Sequence, residues 1–320
     1  MKILFADKFQ QAYLGDLKAQ GHDCDLQPDL SAEDLPAHVA GAEVLIVRST
    51  KISRATIEAA DRLKLIIRAG AGTNTIDKEA AAEKNIPVCN VPGKNAVAVA
   101  ELAFGLLLAI DRNIPDNVIE LRQGQWNKKK YSKAEGIMGR HIGIVGLGGI
   151  GLALAERAAA FGMHVHVVRK TGRDEETTRR LQAIGVQEQD DLQQLVSHCD
   201  VVSFHVPATA DTKGMINAEL LGHFQTGAIL LNTSRGEIVD ESALIQAMDG
   251  KGIRAGLDVY NDEPGAAQGE FDSALARHPN VYGTHHIGAS TEQAQNAIAA
   301  EVVRMLEEFG RGNVLHCVNL

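Results

Sequence analysis

The chain has 320 residues, 45% of them hydrophobic and 23% charged, with a formal net charge of −9. That length accommodates two domains of ordinary size, each with its own core. The acidic balance argues against a nucleic-acid partner, which would need a clustered basic face. The N-terminal MKILFADKF reaches Asp7 before an apolar core of signal-peptide length can form, and no stretch reads as a membrane span, so a cytoplasmic protein without a membrane partner is expected. KILFAD (2–7), EVLIVRS (43–49), LKLIIRAG (63–70) and IPVCNV (86–91) read as strands, separated by helix-forming segments such as TIEAADRL and KEAAAEKN. Near-continuous apolar strands alternating with helices predict a parallel sheet covered on both faces. NAVAVAELAFGLLLAIDR (95–112) is a helix apolar nearly all round, suited to a domain junction or a subunit interface.

After EGIMGR the rhythm starts again with HIGIVGLGGIG and continues through HVHVV, VVSFHV, AILLNTS, AGLDVY and VYGTHH. This is a second doubly wound sheet over roughly 95–285. STEQAQNAIAAEVVRMLEEFGRG closes the chain as a helix with apolar spacings of three and four, expected to pack on the first domain. Cys24, Cys89, Cys199 and Cys317 show no CxxC spacing, so neither a disulfide framework nor a metal site is expected, and a reduced compartment is. The basic run NKKKYSK (127–133) reads first as a solvated loop.

Gly146, Gly148 and Gly151 form GxGxxG in VGLGGIG, directly after an apolar strand and at the start of a helix. The first glycine allows the tight turn, the second lets backbone approach a pyrophosphate, and the third lets helix and strand pack closely. The pyrophosphate then sits on free N–H groups at the helix start. An acid that holds the ribose diol normally follows about 20 residues on, but here that place holds Arg169, with Lys170 beside it and Arg173 near. These cations suit a 2′-phosphate, and a charge-assisted hydrogen bond of about 1.5–3 kcal/mol gives one to two decades of preference. The reading favours NADP(H). NAD(H), with Arg169 pointing into solvent, is the alternative.

Three further segments end later strands: LLNTSRGEIVDESAL, GLDVYNDEP and VYGTHHIGAST. They bring Arg235, Glu263 and His286 to one sheet edge, where open α/β sheets bind ligands. With VRST, RAGAGTNTID, GKNAVAVAELAFGLLLA, WNKKKY and VLHCVN, the chain resembles the D-2-hydroxyacid dehydrogenase family almost end to end. The branch it is most similar to is that of D-3-phosphoglycerate dehydrogenase, in its short form without a regulatory domain after residue 320. The resemblance implies an α/β fold with a Rossmann dinucleotide-binding domain at 95–285 and a flavodoxin-like substrate domain at 1–94 plus 286–320.

It also implies roles. Arg235 would grip the carboxylate of a 2-oxo acid and lean on the oxygen that becomes negative as hydride arrives. His286 would act as general acid/base, and Glu263 would hydrogen-bond the imidazole and keep it charged when reduction requires it. The cofactor set is Gly146, Gly148, Gly149, Ile150, Gly151, Arg169, Lys170, His205, Val206, Pro207, Thr233, Ser234, Arg235, Asp258, His286 and Gly288. Ala71 and Gly72 resemble a carboxylate cradle, and Arg48 and Lys51 resemble residues that meet a far-end phosphate. Lys128, Lys129 and Lys130 are candidates to reach the same anion from a neighbouring subunit, and a homodimer is expected. The family carries Pro immediately before the catalytic His, whereas this chain carries His285.

The function implied is hydride transfer between a nicotinamide cofactor and a small 2-oxo or 2-hydroxy acid of D stereochemistry. Phosphohydroxypyruvate with 3-phosphoglycerate is the first pair to consider. NADPH-dependent reduction of glyoxylate or hydroxypyruvate, or of a 2-imino acid, stays open beside it. From another class, the scaffold also occurs in dinucleotide-sensing corepressors, which usually carry long tails and a peptide-docking surface.

Overall fold

The computed structural model describes residues 1–264 and 268–320, and the chain divides into two compact units. One is built chiefly from Met1–Asn95 and Ala289–Leu320, the other from Ala96–Glu263 and Phe271–Gly288.

In the first unit, β1 (Lys2–Phe5), α1 (Gln11–Ala19), β2 (Asp23–Leu26), α2 (Leu35–His38), β3 (Val44–Val47), α3 (Arg54–Ala59), β4 (Leu65–Arg68), α4 (Lys78–Glu83) and β5 (Val88–Asn90) follow in chain order. The strands pair in parallel in the order β2-β1-β3-β4-β5, which is the flavodoxin-like winding. Alternation along β1 shows why both faces need helices: Ile3 and Phe5 enter one apolar cluster and Leu4 the other. Ser53 and Asp77 start α3 and α4 by accepting the backbone N–H of Thr56 and Ala80. β2 was not legible as a strand, because its DCDL lacks the apolar run of a central strand and lies at the sheet edge.

The second unit runs α5 (Ala96–Arg112), α6 (Ile114–Arg122), β6 (His141–Val145), α7 (Gly149–Ala160), β7 (His164–Val168), α8 (Glu175–Ala183), β8 (Gln187–Gln189), α9 (Leu192–His198), β9 (Val201–Phe204), α10 (Ala218–His223), β10 (Ile229–Asn232), α11 (Glu241–Lys251), β11 (Arg254–Leu257) and β12 (Val281–Gly283). Its parallel sheet has the order β12-β11-β10-β9-β6-β7-β8. The winding therefore reverses between β6 and β9, and the crevice outside the carboxyl ends at such a switch point is where these sheets bind ligands.

The apolarity of α5 is used inside its own unit. Ala103, Leu107 and Ile110 pack with Ile142, Ile144, Leu154 and Leu231. α6 instead leaves Ile114, Ile119 and Leu121 exposed. α12 (Glu292–Gly310) belongs to the first unit, where Ile298, Val302, Met305 and Leu306 cover Ile3, Phe5, Val44 and Ile67. Among the described residues, no helix is long and apolar enough to cross a membrane.

Candidate active site

The glycine turn joins β6 to α7 and has no room for side chains at its closing position. A Cβ at Gly151 would overlap the Gly146 carbonyl oxygen, whereas one at Gly148 would meet open space. α7 starts at Gly148 with no side-chain cap, unlike α8, α9 and α11, whose first turns are held by Asp174, Asp191 and Asp240. The N–H groups of Gly149, Ile150 and Gly151 are thus left for an external acceptor. At the end of β9, Val206 and Pro207 follow His205, whose Nε2 lies 2.8 Å from Ser203 Oγ. Burial pushes the His205 imidazole down to about 4, so it is neutral near pH 7. Its Nδ1, like Thr233 Oγ1 after β10, is buried and finds no hydrogen-bond partner among the described residues. Two orphaned polar atoms at the carboxyl ends of β9 and β10, on the sheet edge that also carries the uncapped helix start, are groups that a bound dinucleotide can satisfy, so the residues present fit a nicotinamide cofactor.

At the end of β7, Arg169 is not pointing freely into solvent. Its Nη1 lies 2.5 Å from Asp190 Oδ1 and its Nε 3.5 Å from Glu188 Oε2. Arg173 donates to the Val168 carbonyl and lies 3.8 Å from Glu188, while Lys170 is exposed. These carboxylates are not legible in the sequence, because QEQ of β8 has no apolar pattern to reveal a strand beside β7.

The three ionisable residues expected to do chemistry follow β10, β11 and β12, neighbours in the sheet. After β10, fully buried Asn232 organises the turn: its Oδ1 accepts from Ser234 N (3.0 Å) and Oγ (2.7 Å), and its Nδ2 donates to Arg235 O (2.8 Å). Gly236 sits so close to the Tyr260 carbonyl that any Cβ would overlap it, which brings the Arg235 turn against the segment carrying Glu263. Half-buried Arg235 donates Nη1 to Ser234 O at 2.6 Å. Glu263 Oε1 stands 2.5 Å from His286 Nδ1, and its Oε2 accepts from Tyr260 N at 3.4 Å.

His286 has φ +50°, a left-handed backbone that costs a non-glycine residue about 1–2 kcal/mol. Buried Asp258 holds it there. Its carbonyl accepts from His286 N (2.8 Å), while its carboxylate accepts from Ile287 N (2.9 Å), Gly288 N (2.8 Å) and Thr284 Oγ1 (2.6 Å). The resemblance implies that Asp258 contacts the nicotinamide; in this structure its bonds go to the loop that carries His286. The same bonds keep residues 286–288 with the second unit, so the unit border falls after Gly288 rather than before His286. His285, standing where the family has Pro, is exposed, and the loop geometry is set by Asp258.

The remaining expected residues lie elsewhere. Arg48 and Lys51 follow β3, and Ala71 and Gly72 follow β4, at the carboxyl edge of the first unit's own sheet. Asp7 Oδ2 shapes the first loop by accepting from Arg48 N (2.6 Å), Ser49 N (3.0 Å) and Thr50 N (3.0 Å). Asn90 Nδ2 ties down Ala71 O at 2.6 Å. Arg48 Nη2 donates to Ser290 Oγ at 3.0 Å, and Lys51 is exposed. Lys130 is held by Glu120 of its own chain at 2.6 Å, and Lys128 and Lys129 are exposed. Asp7, Asn90, Asn232 and Asp190 were missed from the sequence because their partners lie on other segments.

Residues 104–288 match the family model described as D-isomer specific 2-hydroxyacid dehydrogenase, NAD binding domain. The chain is 38% identical over 327 residues to a D-3-phosphoglycerate dehydrogenase from Methanocaldococcus jannaschii, an alignment covering 100% of this chain and 60% of that protein. This chain therefore spans less than two thirds of that relative. It is 39% identical over 284 residues to a hydroxypyruvate reductase from Thermotoga maritima, covering 88% of this chain and 89% of that one. A solved NADPH-dependent glyoxylate/hydroxypyruvate reductase from Sinorhizobium meliloti, in complex with NADP and malonate, superposes with a TM-score of 0.81 at 30% identity, over 99% of this chain and 96% of that one.

Proposed function

We propose that this chain, which belongs to the D-isomer specific 2-hydroxyacid dehydrogenase family, reduces small 2-oxo acids to D-2-hydroxy acids and runs the reverse oxidation when driven. The observation that carries the reading is the 2.5 Å contact between His286 Nδ1 and Glu263 Oε1 at the sheet edge that also presents Arg235 and the glycine turn. The nicotinamide, when bound, supplies or accepts the hydride. Arg235 holds the substrate carboxylate with its guanidinium fork and offsets the negative charge on the carbonyl oxygen. With Nδ1 engaged by Glu263, His286 presents Nε2 to that oxygen and gives it a proton during reduction, or removes one during oxidation. Asp258 and Asn232 position the two loops. On the first unit, Arg48 and Lys51 offer cations and Ala71 and Gly72 offer backbone N–H groups of the kind that suit an anion.

NADP(H) is the preferred cofactor in this reading, because Arg169, Lys170 and Arg173 gather where an acid would repel a 2′-phosphate. The pairing of Arg169 with Asp190 supports a second reading, NAD(H), in which the carboxylate offsets that charge. The exposed Ile114, Ile119 and Leu121 of α6 suit burial against a second copy in a homodimer.

The test of the chemistry is His286→Gln, which keeps a polar side chain and removes the proton donor. Its kcat/KM for 2-oxo acid reduction should fall by about 10²–10⁴ while cofactor Kd, read by fluorescence titration, stays within a few-fold. An unchanged kcat/KM would remove His286 from the reaction.

A further inference from the structure

The amino edge of the second sheet, away from the glycine turn, carries a group of histidines that the proposed reaction does not use. His141 opens β6, and His164 lies directly across from it at the start of β7. His166 is two residues further along β7 and so shares that face, and His198 ends α9. His141 Nδ1 and His166 Nε2 are 2.8 Å apart, and ligand nitrogens of His141, His166 and His198 all lie within 4.8 Å of one another. The rings crowd together, with centroids of His141–His198 at 4.8 Å and His166–His198 at 4.7 Å. His166 is completely buried, where an imidazole is costly without partners. The Gln189 side-chain amide stands 3.0 Å from its other nitrogen, Nδ1. That is the outer hydrogen bond which, at metal sites, fixes the ring and aims the opposite nitrogen at the ion. Asp200 Oδ2 accepts from the His141 backbone N at 2.7 Å, placing a negative charge beside the cluster.

We propose that His141, His166 and His198 bind a divalent transition-metal ion of the zinc class. Three neutral imidazoles are a donor set that suits Zn2+, Ni2+, Cu2+ or Co2+ and does not suit Mg2+ or Ca2+. Tetrahedral coordination with bonds of 2.0–2.1 Å puts the nitrogens about 3.3 Å apart. The 2.8 Å pair has only to open by half an ångström, and the exposed ring of His198, at the end of its helix, swings to close the rest. The fourth position falls to water or to His164, whose ring lies 4.9 Å from that of His141. The site is structural rather than catalytic. Gly146 lies beyond the far end of β6, about 16 Å of strand away, so the ion would clamp β6, β7 and α9 and stabilise the nucleotide-binding unit. The sequence shows no such site, since the histidines are spaced by register and by a helix end rather than by a short motif.

The test uses the full chain without any histidine tag, stripped with a chelator and titrated with ZnCl2 against a chromophoric competitor, with thermal unfolding followed in parallel. One ion should bind per chain and raise Tm, and Co2+ should give the visible absorption of a tetrahedral site. His198→Gln, a surface change, should weaken Zn2+ binding by at least about tenfold and remove the metal-dependent rise in Tm. Its Tm in chelator and its kcat/KM should remain those of the parent. Absence of saturable binding by the parent chain overturns the proposal. Equal Zn2+ affinity in His198→Gln overturns it as well, because the ion is then held elsewhere.

Discussion

Arg169 sits between two demands. A 2′-phosphate would draw its guanidinium toward the cofactor, while Asp190 and Glu188 hold it over β8 at 2.5 and 3.5 Å. Both ends of the Arg169–Asp190 pair are more than half exposed, and exposed ion pairs contribute about 0–1 kcal/mol. A charge-assisted bond to phosphate contributes about 1.5–3 kcal/mol. The phosphate should therefore win. Arg169→Ala is expected to lower kcat/KM for NADPH by about ten- to a hundredfold and to leave that for NADH within a few-fold, in steady-state assays with either cofactor. Equal losses on both cofactors would mean that Arg169 only supports the fold. At this scale the sequence was legible where a residue announces its chemistry through a local motif, as Arg235, Glu263 and His286 do. It was silent where a residue acts through partners on other segments. Asp258 is the clearest case: its identity is plain, but its grip on residues 284–288 depends on β11 lying beside β12.

Among the elements, α12 shows how an apolar stripe and a buried charge coexist on one helix. Its apolar residues were readable at spacings of three and four, whereas the environment of Glu301 was not. That carboxylate is nearly buried, pairs with Arg304, and lies 3.5 Å from Lys94 and 3.2 Å from His316. The hydrogen bond from Arg304 leads in holding it at about 2, well below an ordinary glutamate. A carboxylate lowered on folding adds stability above its unfolded pKa and loses it as pH falls toward the folded value. Urea unfolding should therefore show Glu301→Gln less stable than the parent by about 1–2 kcal/mol at pH 7, with the gap closing between about pH 4.5 and 2. A gap that persists at pH 2 would assign the loss to packing. β2 and β8 leave no strand signature in the sequence for one shared reason. Both are polar edge strands, and a strand with little to bury leaves no periodic trace. The apolar run of α5, conversely, was plain, but not its destination, because apolarity alone does not say whether a core or another subunit covers it.

Across the whole molecule, two doubly wound sheets each present loops at their carboxyl edges, one bearing cations and backbone N–H groups, the other the glycine turn and the Arg235, Glu263 and His286 side chains. The alternation of strands and helices made this architecture readable from the chain alone, and the choice of substrate is what the architecture leaves to the loops. The most direct measurement is kcat/KM of the purified chain for phosphohydroxypyruvate, hydroxypyruvate and glyoxylate with NADPH and with NADH, each with and without ammonium. Ammonium-independent turnover of at least one 2-oxo acid is expected, with NADPH favoured by about tenfold or more. Turnover that requires ammonium, or none on any 2-oxo acid, would contradict the proposed reaction.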